Sequence, residues 1–523
     1  MEQQPEEKRP ARKPLDRDPS PPRADDVAAV GGRVLDPASA IVVSGVVPRP
    51  TVYVGPRLTV SKSIDVATAV RILGEVAEPL GWRVDLEPED PRTRKLRFGL
   101  RTVLISVASE RAAIAPDGWT LLQQTRLRYG PKAVRGVGLD HVVFPGGLSS
   151  NPFHHSNPFH HSNPFHHSNP AAGDLSDPIA GYAVPGSGGR QPVAYVGPRP
   201  VRRDPYPGPR RPVVAILDTG CGEHSWLSEA VVRDVTIDAM PIGYDHTVPE
   251  SESGGDLDGP LDGLIDPLSG HGTFIAGLVH QACPDAELLV WRVVRSDRPI
   301  VESDLVASLA QIAELVHRYH AGDPSGRMID VLTLSLGYYH ETPVDELFDP
   351  TLYDILADLS RHGTQVVCSA GNEATSRPAF PAAFAPWSDG RGPIATADDC
   401  LPLLSVGALN PNGATDALFS NAGPWVRAHD YGAAVLSTVP VDFQGGLQSA
   451  AATTVFGRPR DSIDPDDFRG GFAVWSGTSF AGPLMAGRIA AHLADDLAAG
   501  DAPEVARARA RAALAALTTI GSD

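Results

Sequence analysis

The sequence predicts an α/β protein: a parallel sheet flanked by helices, preceded by a small α+β domain and a disordered linker. Three observations carry this expectation. Beyond Pro212 the chain alternates continuous apolar runs with helical stretches, the texture of strands covered on both faces by helices. Between Arg57 and Phe144 two helix-periodic stretches alternate with shorter strand-like ones. Separating these regions is a stretch dominated by proline, glycine and a short repeat. A length of 523 residues exceeds one ordinary domain, and 42% hydrophobic with 21% charged residues allows a sizeable core.

Taken in order, residues 1–50 mix charge with proline and lack periodicity, so they are expected as a disordered tail. The α+β domain is expected over 51–145. Asp65 to Trp82 carries Val66, Val70, Leu73 and Val76 at helical spacing. RVDLEP and LRFGLRTVLISVA follow as strands, a second helix starts near Asp117, and GLDHVVF closes the unit as a strand. Residues 146–210 form the linker, in which SNPFHH begins at Ser150, Ser156 and Ser162. Proline at every sixth position excludes a regular helix or a central strand and leaves an extended, exposed segment. Its paired histidines suit a transition metal or a partner domain, and a plain spacer is the simpler reading.

The larger domain is expected over 211–523. Its strands are VVAILD (213–218), 287–294, 329–337, 364–371 and 401–409, with helices at 303–320 and 350–362 and an Ala/Arg-rich amphipathic helix at 502–520. In such sheets functional residues collect at the carboxyl ends of the strands.

Charge and cysteine content narrow the function. With 45 Lys and Arg against 63 Asp and Glu the net charge is −18, which disfavours phosphate backbones and anionic lipid as partners. Cys221, Cys283, Cys368 and Cys400 are too sparse for a disulfide framework and form no CxxC pair. The first 26 residues are charged and proline-rich without an apolar core, and no apolar run is long enough for a membrane helix. A cytoplasmic protein is therefore expected, with export by a non-Sec route as the alternative.

Four short segments carry chemistry. Asp218 ends the first buried strand and is followed by Thr219-Gly220; alone it could be a turn or capping residue. His271 sits between Gly270 and Gly272 at the start of an apolar helix, where glycines let another backbone approach closely. Ser479 opens a small-residue helix interrupted by Pro483. Serine is common there as a cap, but a helix N-terminus also supplies N–H groups and a positive dipole end to a nucleophile building an oxyanion. Asn372 follows Ser369-Ala370-Gly371 at the end of a buried strand, where its amide can donate to developing negative charge.

The order Asp, His, Asn, Ser in DTG, GHGT, AGN and GTSFAGP contexts resembles the subtilisin-like serine proteases (subtilases, the peptidase S8 family) over roughly 210–500. The resemblance implies that Ser479 attacks the scissile carbonyl, His271 takes and returns its proton, and Asp218 fixes the imidazole tautomer. Asn372 and the Ser479 N–H would form the oxyanion hole. The segment Ser335-Leu336-Gly337 would pair with an extended substrate, and Ser369, Ala370 and Gly371 would wall the pocket for the residue before the cut. Two positions depart from the family pattern: Phe274 stands for a second histidine and Gly482 for a serine, neither in a catalytic role.

No cofactor is required by this chemistry, and no metal ligands are assigned. Subtilases often bind calcium, but the acidic loop with Asp256, Asp258, Asp262 and Asp266 lacks EF-hand spacing and is read as solvated. The region 57–145 sits where subtilases keep an inhibitory propeptide, so intramolecular inhibition and self-processing within 145–212 are expected, against a domain merely tethered by a spacer. The resulting expectation is a serine endopeptidase acting on protein or peptide substrates, in maturation or regulated cleavage. The rival is a catalytically silent, protease-shaped module recruiting partners through the His/Phe repeats.

Overall fold

The computed structural model describes residues 16–19, 22–43, 46–108, 113–145, 190–245, 251–257, 261–296, 298–342, 350–498 and 500–518. The SNPFHH repeats and Asp258 lie outside these.

The N-terminal domain takes the strand–helix–strand–strand–helix–strand order: β2 (Val52–Ser61), α2 (Val66–Ala77), β3 (Trp82–Leu86), β4 (Leu100–Val107), α3 (Gly118–Tyr129) and β5 (Val137–Pro145). The strands lie in the order β5-β2-β4-β3, all antiparallel, a ferredoxin-like arrangement. Each helix starts at an aspartate that satisfies free N–H groups. Asp65 accepts from Ala67 and Thr68, and Asp117 accepts from Thr120 at 2.9 Å. Leu58, Leu73, Val103, Trp119 and Leu139 fill the core between sheet and helices.

Strand β2 is absent from the sequence reading because Gly55-Pro56 interrupts it, and that pair signals a turn. The structure absorbs it where the β2–β5 register shifts between Tyr53 and Leu58, an irregularity that frees the proline from the ladder. The tail reading of 1–50 also differs from the structure. The helix α1 (Ala24–Ala29) and the strand β1 (Gly32–Val34) precede β2, and β1 pairs antiparallel with it. Segment 16–19 lies on the larger domain: Arg17 donates to the Glu373 and Ala374 carbonyls at 3.1 and 3.2 Å, and Arg377 donates to Asp18 at 3.0 Å. These contacts are long-range, so no local pattern announces them.

The larger domain is a seven-stranded parallel sheet in the order 428–431, 404–409, 365–369, 331–334, 213–218, 287–292, 231–232. Every residue of the central strand Val213–Asp218 is buried, because its side chains alternate between two cores. Val214 and Ile216 pack with α4 (His271–Ala282) and α7 (Thr478–Leu493). Val213, Ala215 and Leu217 pack with α5 (Glu302–His320) and α6 (Thr351–Arg361). The Ala/Arg-rich stretch is α8 (Pro503–Leu517), with Ala510, Ala513 and Leu514 buried.

Two short strands of the larger domain join the sheet of the N-terminal domain. Residues Ile300–Val301 and Leu336–Gly337 of the larger domain both pair antiparallel with β5. Just behind, Asp140 of β5 accepts from the Ser303 N–H at 3.0 Å and its hydroxyl at 2.9 Å. Val301, the residue that precedes α5, makes no side-chain cap of its own. The N-terminal domain thus caps a helix of its neighbour. Arg57–Asp140, Arg92–Asp304 and Arg97–Asp358 ion pairs surround this contact.

Candidate active site

Asp218, His271 and Ser479 arrive from three elements at one end of the sheet. Asp218 is the last residue of the central strand, His271 the first of α4 and Ser479 the second of α7. His271 Nδ1 lies 2.7 Å from Asp218 Oδ1, and both side chains are 1% exposed. The approach depends on Gly272, since a Cβ there would sit 2.0 Å from the Gly220 carbonyl oxygen. The flanking Gly270 has φ +81°, a conformation glycine adopts without strain. This is the close backbone approach expected of the glycines around His271.

The imidazole is wedged between Trp475 and Phe480, each ring centroid 5.4 Å away. His271 Nε2 and Asp218 Oδ2 are buried and hydrogen-bond no described residue. The Ser479–His271 hydrogen bond is therefore not formed in this structure; such bonds are often loose before substrate binds.

Ser479 is fully buried in the first turn of α7. Pro483 has no N–H to give the Ser479 carbonyl, and the Ser335 hydroxyl donates to it instead at 3.0 Å. A proline in a helix interior is thus tolerated, and the hydroxyl ties segment 335–337 to the helix that carries Ser479. Asn372 is held by its side-chain oxygen, which accepts from the Thr478 N–H at 2.8 Å and hydroxyl at 2.9 Å. That fixes the amide nitrogen on the opposite side. Gly371, at φ +99°, donates its N–H to the same Thr478 hydroxyl at 3.0 Å.

The expected substrate residues line one groove. Leu336 pairs antiparallel with Pro145, and Gly337 with Phe144. Across from them lie Ser369, Ala370 and Gly371, with the Ser335 and Ser369 hydroxyls 3.3 Å apart. A cavity of about 280 Å³ continues the groove, lined by Pro19, Val34, Phe144, Leu336, Gly371 and Phe380 among others. Residues from the N-terminal segments therefore line this cavity and pair with Leu336–Gly337.

Of the acidic loop, Asp256 accepts from Gly263, Asp262 from Leu264 and Asp266 from Leu257 and the Ser296 hydroxyl. The four cysteines are free and buried, and burial pushes the Cys221 thiol up to about 12, so it stays protonated. No described helix is long and apolar enough to cross a membrane.

Sequence reasoning missed two buried polar clusters. Glu252 is buried and bonded by the hydroxyls of Thr219 and Thr273. Each threonine closely follows a site residue, Asp218 or His271. At the domain junction, His141 of β5 places Nδ1 2.6 Å from Glu302 and Nε2 2.8 Å from Glu341. GLDHVVF reads as a strand, and nothing local marks its histidine as an ionic anchor.

A parallel sheet flanked by helices, with Asp218, His271 and Ser479 at one end, is the α/β architecture the sequence predicts. Residues 210–516 match the Subtilase family, Peptidase_S8. The chain belongs to that family and is a subtilisin-like serine endopeptidase. It is similar to the crystal structure of a cold adapted subtilisin-like serine proteinase at 18% identity, over 58% of this chain and 82% of that one, with a TM-score of 0.35. It is also similar to fervidolysin from Fervidobacterium pennivorans, titled a keratinolytic enzyme related to subtilisin, at 17% identity over 87% of this chain and 56% of that one, TM-score 0.41. A lanthipeptide protease is similar at 18% identity over 57% and 78%, TM-score 0.36. No curated protein matches the chain.

Proposed function

We propose that Asp218, His271 and Ser479 form the catalytic triad of an endopeptidase that cleaves extended protein or peptide segments, and that its own N-terminal domain restrains it. The observation that carries this is the antiparallel pairing of Phe144 and Pro145 with Leu336–Gly337, beside the 2.7 Å Asp218–His271 bond. Strand addition at an exposed edge is a common way to bind an extended peptide. The N-terminal domain uses the edge that a substrate would use, so the two exclude each other.

In this mechanism Ser479 attacks the carbonyl while His271 Nε2 takes the hydroxyl proton and later gives it to the leaving amine. Asp218 holds the proton on Nδ1 and stabilises the imidazolium. The Asn372 amide and the Ser479 N–H receive the developing oxyanion. Asn372→Ala is expected to lower kcat by about 10²–10³ with a smaller change in KM, since the donor acts on charge that appears only in the transition state. Steady-state kinetics on a peptide substrate checks this.

Self-processing within 145–212 is part of this reading. Intact-mass measurement of the purified chain beside Ser479→Ala tests it. A shortened product only in the chain that keeps Ser479 supports processing; identical full-length masses remove it. A chain that fails to react with a fluorophosphonate even after release of its N-terminal domain would support the silent-module reading instead.

A further inference from the structure

We propose that Glu252 is a positioning residue of the triad, whose carboxyl sets, through the Thr219 hydroxyl, how many hydrogen bonds the Asp218 carboxylate receives. The inference rests on the triad reading above and deepens it.

The Thr219 hydroxyl is a junction. Its oxygen accepts the Gly272 N–H at 2.8 Å, contacts Glu252 Oε1 closely and lies 3.2 Å from Asp218 Oδ1. A hydroxyl has one proton to donate and two lone pairs, so it serves one carboxyl at a time. On the far side the Thr273 hydroxyl meets Glu252 Oε2 at 2.5 Å and accepts the Gly222 N–H at 2.7 Å. Glu252 therefore joins the two threonines that follow Asp218 and His271, and it is 1% exposed.

With Glu252 protonated, the donors and acceptors of Glu252, Thr219 and Thr273 are all matched. Oε1–H donates to Thr219, Thr219 donates to Asp218, and Oε2 accepts from Thr273. With Glu252 ionised, the Thr219 proton turns towards Glu252. Asp218 then loses a donor and gains a nearby negative charge, and both changes raise its hold on the His271 proton. The groups facing Glu252 are Asp218 at the strand end, Thr219, Thr273 on α4, the Cys221 thiol and, further off, the Arg190 guanidinium. Burial raises the Glu252 pKa to about 8; the threonine hydroxyls oppose this and the charge of Asp218 adds to it. The neutral form thus prevails at pH 7 and gives way on the alkaline side.

The test follows the low-field Nδ1–H resonance of His271 in the full chain, labelled with ¹⁵N-histidine and carrying Ser479→Ala so that the chain stays whole. A step near pH 8, separate from titration of the imidazole itself, is expected. Glu252→Gln and Thr219→Val should each lose that step while keeping the resonance. A smooth profile without the step overturns the proposal, as does a step that survives in Glu252→Gln. If the variants fail to fold, the profile of the chain that keeps Glu252 and Thr219 still decides. Absence of any low-field resonance would remove the Asp218–His271 bond, and with it the triad reading itself.

Discussion

Replacing Ser479 with Ala is expected to lower kcat on a peptide substrate by about 10⁶, the scale at which a nucleophile and its base act as one unit. His271→Ala should cost a similar factor, and the double variant little more, because neither group does its work without the other. In the proposed mechanism substrate binding rests mainly on segment 335–337 and the wall at 369–371, so KM should change far less. In the first turn of α7 the Thr478 hydroxyl is engaged with Asn372 and Gly371, and the Ser479 carbonyl is held by Ser335 where Pro483 cannot reach it. Turnover after release of the N-terminal domain, together with fluorophosphonate labelling, measures the effect. Labelling that persists in Ser479→Ala would assign the chemistry to another nucleophile.

The second large effect is expected at the domain junction, from His141→Ala. His141 is 3% exposed between Glu302 and Glu341, stacks on Tyr338 at 4.6 Å and lies 4.8 Å from His340. Removing it leaves two carboxylates without their cation in a nearly dry site, which typically costs about 3–5 kcal/mol. That corresponds to a hold on the N-terminal domain weaker by roughly 10² to several times 10³. Amide exchange along β5 in the full chain reads this loss directly.

The same cluster sets the pH response. Burial opposes charge on His141, yet Glu302 and Glu341 outweigh it and raise the pKa to about 10. A raised histidine pKa contributes in full below its free value near 6.5 and loses that contribution as pH climbs through about 10. On the acid side, burial lowers His340 to about 4. Between its free value near 6.5 and about 4, His340 of the larger domain binds a proton in the released state that it refuses in the docked one, so docking weakens as pH falls. Glu341, which burial would raise, is held below its usual range by His340 and His141, and its contribution is also lost on acidification. Protection of β5, corrected for intrinsic exchange, should therefore be greatest near neutral pH and fall on both sides. A profile flat from acid to alkaline pH would count against this account.

How much was legible differs between the domains. The parallel sheet could be read because Val213–Asp218, 331–334 and 365–369 are buried on both faces, which forces uninterrupted apolar runs. The short edge strands 231–232 and 428–431 could not, since only part of each is covered. In the N-terminal domain, β2 hid behind Gly55-Pro56, and β1 exists only by pairing with β2. The close packing around His271 was legible through its glycines: Gly270 and Gly272 are demanded locally by a backbone conformation and by a near contact with Gly220.

By itself the sequence determined the alternation of buried strands and helices in the larger domain, the four segments that bear candidate reactive groups and the family they point to. Each of these depends on local pattern: apolar period, capping, and glycine where a Cβ cannot fit. Only the tertiary structure decided that β5 lies along segment 335–337, that His141 meets Glu302 and Glu341, and that Glu252 sits behind Asp218. Those contacts join residues far apart in the chain, and a buried carboxyl or histidine is spelled no differently from an exposed one until packing removes its water.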